Sequence, residues 1–139
     1  VAESAERMFA LINDVESYPQ FVPWCTAARV DSRSEREVVA TLSIKRGPLA
    51  LDFTTRNVLS PAERIDMQLE RGPFRRLGGG WVLVPLGDRG CRIELALQFE
   101  FANRVSAALF EPLFEQTAAS LVDAFVRRAR QLRDTDLSR

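Results

Sequence analysis

Histidine is absent from all 139 residues. That removes the Ser-His-Asp and Cys-His nucleophile systems, imidazole acid–base chemistry and the commonest transition-metal ligand. Cysteine is scarce. Cys25 and Cys91 lie far apart, outside any metal-ligand spacing, and read as free, semi-buried thiols of a reducing compartment. Neither charge sign is in excess, since 19 basic residues balance 19 acidic ones. A nucleic-acid coat shows a basic surplus, so DNA is not an expected partner. Lysine is nearly missing as well: Lys45 is the single one among those basic residues. No apolar run approaches the length of a membrane helix, and no signal peptide is visible. The expected location is the cytoplasm, with a membrane at most a transient contact. The chain opens on "VAESAERMF", which carries the expectation that an upstream segment is missing.

What remains is an ordinary globular composition, 46% hydrophobic and 27% charged. A chain of this size buries roughly two-thirds of its unfolded surface. One domain over 1–139 with one core is therefore expected, with 133–139 ("RDTDLSR") as a frayed tail. Ser4 can cap a short helix, with Arg7 where a capping-box glutamate would sit. Met8, Phe9, Leu11 and Ile12 give that helix its apolar side, and Asn13 and Asp14 end it. Pro19 and Pro23 then stop regular structure. They do so inside "NDVESYPQFVPWC", which holds the only tyrosine and one of the two tryptophans.

Strands follow. "EVVATLSIK" puts Val38, Ala40, Leu42 and Ile44 on one face. "LALDFTTRNVL" puts Leu49, Leu51, Phe53 and Thr55 against Asp52, Thr54 and Arg56. "RIDMQLE" alternates Ile65, Met67 and Leu69 with Asp66, Gln68 and Glu70. After "RGPFRRLGGG" come "WVLVPL", the turn "GDRG" and "CRIELALQFEF". This last run sets Cys91, Ile93, Leu95, Leu97, Phe99 and Phe101 on one side. The spacing is that of an antiparallel meander with one wet face. Pro112 suits a first helical turn. From there Phe114, Ala118, Leu121, Phe125, Ala129 and Leu132 form one stripe to about Leu132. "NRVSAALFE" before it reads as helical too, with a bend near Pro112. The result is a two-layer α+β sandwich, a sheet with one apolar face covered by one long helix.

Four stretches then carry a likeness: "NDVESYPQFVPWC", "FTTRNVL", "RGPFRRLGGGW" and "CRIELALQFEFANRV…LVDAFVRRA". In collinear order, over about Ala5 to Leu132, the chain resembles the family of bacterial RatA proteins and mitochondrial coenzyme-Q-binding proteins. These belong to the START-like superfamily, described broadly as polyketide cyclase/dehydrase or lipid-transport proteins. The resemblance implies a helix-grip fold: a curved antiparallel β-sheet wrapped around a long C-terminal helix, with short N-terminal helices and an internal apolar cavity. It also implies a first strand before the short helix, of which only the last residues remain here. It implies two activities. One is binding of ubiquinone in support of respiration. The other is that of a toxin which binds the large ribosomal subunit and blocks its joining to the small one.

The cavity would be lined by Leu42, Ile44, Leu51, Phe53, Ile65, Met67, Leu69, Ile93, Leu95, Leu97 and Phe99 of the sheet. Phe114, Leu121 and Phe125 would face them from the helix. Alternation by itself predicts a filled core; the resemblance predicts a cavity. Tyr18, Phe21, Trp24, Phe74 and Trp81 are candidates for its mouth or lid, or for a plug that fills its end. Each buried methylene of a ligand contributes about 0.8 kcal/mol, so ten carbons offset association costs of several kcal/mol. An isoprenoid or lipid could bind with no cofactor required. "RGPFRRLGGGW" lacks the lysine and following helix of a phosphate loop. It reads either as a bent strand needing glycine or as a basic rim. Arg71, Arg75, Arg76, Arg127 and Arg128 are candidate anion or ribosome contacts, although arginines late in a helix also complement its dipole. No catalytic residue or metal ligand is assigned. A cyclase-like enzyme acting by shape is a third reading; its candidate proton carriers are the carboxylates, Tyr18, the two cysteines and Arg56, with Asp52, Asp66, Glu70, Glu94 and Glu100 falling on the wet face.

Overall fold

The computed structural model describes residues 1–137, with side chains as far as Asp134. Helix α1 (Ala5–Asn13) starts at Ser4, whose hydroxyl accepts from the Arg7 N–H at 3.2 Å, and it buries Met8, Phe9 and Ile12. A 3₁₀ helix follows at Val15–Gln20 and includes Pro19. The prolines therefore oppose an α-helix there but do not exclude a short 3₁₀ turn. Six strands come next: β1 (Cys25–Arg33), β2 (Glu37–Arg46), β3 (Leu49–Ser60), β4 (Arg64–Arg71), β5 (Phe74–Pro85) and β6 (Cys91–Phe101). They form one sheet in sequence order, each pair antiparallel. Helix α2 (Arg104–Leu137) closes the chain.

Alternation placed β2, β3, β4 and β6 correctly because each has one apolar and one polar face. It missed β1, whose residues beyond Cys25 are exposed or only half-buried. An edge strand with two wet faces carries no period-2 signal. Helix α2 begins at Arg104, within the stretch expected to be helical before Pro112, and runs on through that proline as one element. Of the tail expected to fray, 133–137 continues the helix, and 138–139 lies outside the described residues. The Val1 ammonium donates to the Cys91 carbonyl at 2.9 Å, and the Cys91 N–H donates back to Val1 at 3.0 Å. Residue 1 thus lies along β6, where the expected first strand would pair. Among the described residues no helix is long and apolar enough to cross a membrane.

The triple glycine is strand, not loop. Gly78, Gly79 and Gly80 pair with Gln68, Met67 and Asp66 of β4 and with Gln98, Leu97 and Ala96 of β6. Gly79 has φ +127°, and a Cβ there would sit 2.0 Å from the Ala96 carbonyl oxygen. A Cβ on Gly80 would sit 2.1 Å from the Ile65 carbonyl oxygen. Neighbouring backbones occupy the space a side chain needs, so β5 can coil tightly between its two partners. The core lies between the sheet's apolar face and α2. At one end Phe125 meets Tyr18, Phe21 and Trp81 with ring centroids 5.1–5.3 Å apart. At the other, Phe114 meets Phe99, Phe74, Phe101 and Phe53 at 4.7–6.1 Å.

Gly79→Ala is expected to lower stability by more than about 2 kcal/mol, since it combines a left-handed φ with a backbone clash. Urea unfolding checks this; a midpoint unchanged from the parent would show that β5 does not need the close approach.

Candidate functional site

Phe114 and Phe125 stand eleven positions apart on α2, about 16 Å along its axis. Between the two aromatic clusters that they anchor, helix and sheet do not fill the space. A largely apolar cavity of about 70 Å³ remains. A single water needs only ~10–15 Å³, so the space exceeds that of one water. Its walls carry Leu42, Ile44, Phe53, Met67, Leu95 and Leu97 from the sheet, and Phe114 and Leu121 from the helix. All eight are among the predicted lining residues. Tyr18, Trp24 and Trp81 also line it.

Other predicted positions fall elsewhere. Ile65 and Ile93 share the apolar face but pack into the solid core at 3% and 8% exposure. Leu51 and Leu69 pack against that core without reaching the cavity. Phe99 and Phe74 belong to the cluster around Phe114, and Phe125 and Phe21 to the one around Tyr18. Alternation shows which face a residue takes. It does not show where along that face the helix lifts away. That depends on the crossing of helix and sheet, which no local pattern encodes.

The polar residues of the cavity are Thr55, Asn57 and Thr117, none of them singled out by the sequence reading. Thr55 and Asn57 continue the inward alternation begun at Leu49, which is the signal that marks them. The Thr55 hydroxyl donates to Asn57 Oδ1 at 2.8 Å. Thr117 donates to the Leu113 carbonyl at 2.7 Å. Trp24 Nε1 donates to Ser120 Oγ at 2.9 Å, and that hydroxyl donates to the Thr117 carbonyl at 2.8 Å. The Tyr18 hydroxyl donates to the Ile12 carbonyl. Every hydroxyl is thus committed to the protein. The second end of the Asn57 amide is not: among the described residues it has no hydrogen-bond partner. Among the described residues, Asn57 Nδ2 is thus a side-chain polar group of the lining that has no protein partner.

Burial, helped by the nearby Cys25 and Asp14, pushes the Tyr18 phenol far above its ordinary value. Burial also raises the Cys25 and Cys91 thiols. Among the described residues no carboxylate lines the cavity. Arg56, another suggested proton carrier, lies on the outer face between Glu70 at 2.6 Å and Glu37 at 2.8 Å. Tyr18 and Trp24 are buried in the cavity wall, at 6% and 7% exposure.

The candidate anion contacts separate. Arg75 and Arg76 share Glu100 at 3.2 and 3.4 Å, and Arg71 lies 3.9 Å from Asp31. Arg128 donates to Gln20 at 3.0 Å and stacks over Phe21, 5.2 Å from the ring centroid. It braces the 3₁₀ segment, although no carboxylate pairs with it among the described residues and its Nε is buried without a hydrogen-bond partner. Arg127 is exposed.

A family model described as polyketide cyclase / dehydrase and lipid transport matches residues 1–126. The "Ribosome association toxin RatA" of Pseudomonas aeruginosa is 47% identical over 128 residues, 92% of this chain and 89% of that protein. The protein of the same name from Escherichia coli is 42% identical over 132 residues, covering 95% and 84%. The mitochondrial coenzyme Q-binding protein COQ10 homolog B of Xenopus laevis is 26% identical over 133 residues, 93% of this chain and 54% of its own. Among solved structures, the Zhui aromatase/cyclase of Streptomyces superposes with a TM-score of 0.82 at 18% identity, over 94% of this chain and 89% of that one. A START superfamily protein from Mycobacterium smegmatis gives 0.78 at 26% identity, over 95% and 93%.

A phenol or thiol whose proton is held more tightly in the fold stabilises it below its unfolded pKa and loses that contribution as pH rises. Stability is expected to be level through neutral pH and to fall above about pH 9, the thiols leading and Tyr18 following near pH 10. Tyr18→Phe should cost about 1 kcal/mol at neutral pH, through the lost hydrogen bond, and should flatten the alkaline fall. Urea unfolding across pH checks both; an identical alkaline limb in the variant would count against the burial argument.

Proposed function

We propose, from the premise that this chain belongs to the polyketide cyclase/dehydrase and lipid-transport family, that it is a cytoplasmic ribosome-association toxin of the RatA type. It holds the large ribosomal subunit by surface contact and hinders its joining to the small one. The identity of 41–47% over more than nine-tenths of the chain to proteins of that name carries this reading. Likeness to a cyclase at 18% identity is a likeness of fold and carries no catalysis to this chain. Among the described residues no carboxylate lines the cavity, and its phenol donates to a backbone carbonyl, which favours binding over transformation.

A second reading stands beside the first, favoured by the largely apolar cavity and the open end of the Asn57 amide. The cavity holds a hydrophobic ligand with one hydrogen-bonding group, for which the ring of a ubiquinone-like molecule is suited. Apolar walls supply most of the affinity, and the amide selects orientation. The space of about 70 Å³ exceeds that of one water. A long isoprenoid tail requires α2 to shift from the sheet. The two readings are compatible, since one uses the interior and the other the surface.

Sucrose-gradient profiles test the first. Added protein should lower the joined-ribosome peak and raise the free subunits; an unchanged profile at saturating protein rules it out. For the second, a short-chain ubiquinone should quench the fluorescence of Trp24 and Trp81. Asn57→Leu should weaken binding about three- to tenfold, as expected for one lost hydrogen bond. Silence of both tryptophans, with no lipid extracted from the gently purified protein, would overturn the ligand reading.

A further inference from the structure

Several arginines on the outer face of the sheet meet carboxylates. Arg56 sits between Glu37 and Glu70, Arg64 meets Asp66 at 2.6 Å, and Arg92 meets Glu94 at 3.0 Å. A different arrangement occurs where the end of β2 approaches α2. There Lys45, Arg46 and Arg127 line one open groove, together with Pro23, Trp24 and Ser120. The groove has a volume of about 360 Å³, and among the described residues no carboxylate lines it. Among the described residues, none of its three cations has an ion-pair partner. The chain's only lysine is one of them. In a protein of zero net charge, this is a concentrated positive concavity, and a concave wall focuses its field outward.

The groove is built rather than incidental. The Lys45 N–H donates to the Trp24 carbonyl at 2.9 Å, tying β2 to the segment before β1. The Trp24 indole donates to Ser120 of α2 at 2.9 Å, so three separate segments are held together at this point. We propose that this groove is the docking site for the phosphodiester backbone of RNA, with Lys45, Arg46 and Arg127 each meeting phosphate oxygens. The proposal rests on the ribosome-association reading and gives it a place on the surface. Arginine meets phosphate with a fork of N–H donors and lysine as a point charge. Trp24 is buried and its N–H is used, so it offers no stacking platform. Recognition is therefore by backbone and not by base. A bilayer contact would set exposed apolar side chains beside the cations. The exposed large ones, Val58, Val82, Leu86, Val105 and Leu109, all lie outside the groove.

The test measures two things with one set of proteins: co-sedimentation with purified large ribosomal subunits, and fluorescence anisotropy of a labelled single-stranded RNA across a salt series. The combined Lys45→Glu, Arg46→Glu and Arg127→Glu variant should weaken both at least tenfold. It should also reduce the slope of log affinity against log salt by about two, as three lost phosphate contacts on a single strand require. Arg75→Glu with Arg76→Glu should change either measurement much less. A triple glutamine variant, milder to the fold, should show the same loss in smaller degree with an unchanged circular dichroism spectrum. If the triple glutamate and glutamine variants bind RNA and subunits like the parent, the groove is not the site, and the ribosome reading survives without it. If the parent binds RNA through the groove but no subunits, the groove stands and the ribosome reading falls. If the parent binds vesicles of phosphatidylglycerol through these cations and no RNA, the proposal is overturned in favour of a membrane.

Discussion

The fit of a long helix against a curved sheet governs the rest of this molecule. The sheet must coil enough to follow α2, and β5 permits this because Gly79 and Gly80 let the backbones of β4 and β6 close in on it. A coiled sheet and a cylinder touch well along part of their length and separate elsewhere. Here the contact is made by aromatic rings at two places, around Phe114 and around Phe125. The cavity is the gap between them. It is thus a consequence of fold geometry, and its size is set by how far apart those two clusters hold the helix from the sheet.

The segment from Asn13 to Cys25 finds its explanation in the same geometry. Its prolines oppose α-helix and central strand, but a 3₁₀ turn brings Tyr18 and Phe21 against Phe125. Trp24 reaches the middle of α2 and is fastened there through Ser120. Arg128 returns from α2 to brace the turn through Gln20 and Phe21. Large rings with one polar end suit a boundary of this kind, because each buries much apolar area and satisfies its donor locally. The segment is accordingly a wall of the cavity. The groove with Lys45 lies on the other side of Trp24 from the cavity, so one residue borders both candidate sites.

Charge supports the division of labour between interior and surface. The interior is almost wholly apolar, with its hydroxyls bonded to the protein and one amide end available. The sheet's outer face is covered by paired charges, which are worth little individually to stability but leave little net field there. The unpaired cations beside Trp24 differ in sharing one groove that, among the described residues, no carboxylate lines, so a counter-charge there comes from outside it.

The sequence by itself determined the meander of β2 to β6, the capped first helix, the apolar stripe of α2 and the inward face of each strand. All of these are local periodicities, and burial on one side of an element enforces them. It also determined what chemistry was excluded, since a missing histidine is missing in any fold. The tertiary structure alone decided which inward residues line the cavity, because Leu42 and Leu51, or Leu97 and Phe99, share a face and differ only in their position under the helix. It alone decided that Thr55 and Asn57 are the polar end of that cavity, that Arg75 and Arg76 share Glu100 while Arg128 braces the 3₁₀ segment, and that Lys45, Arg46 and Arg127 meet. The physical reason is common to these cases. A side chain's partner is fixed by the packing of elements far apart in the chain, and residues separated by some eighty positions leave no periodic trace of their meeting.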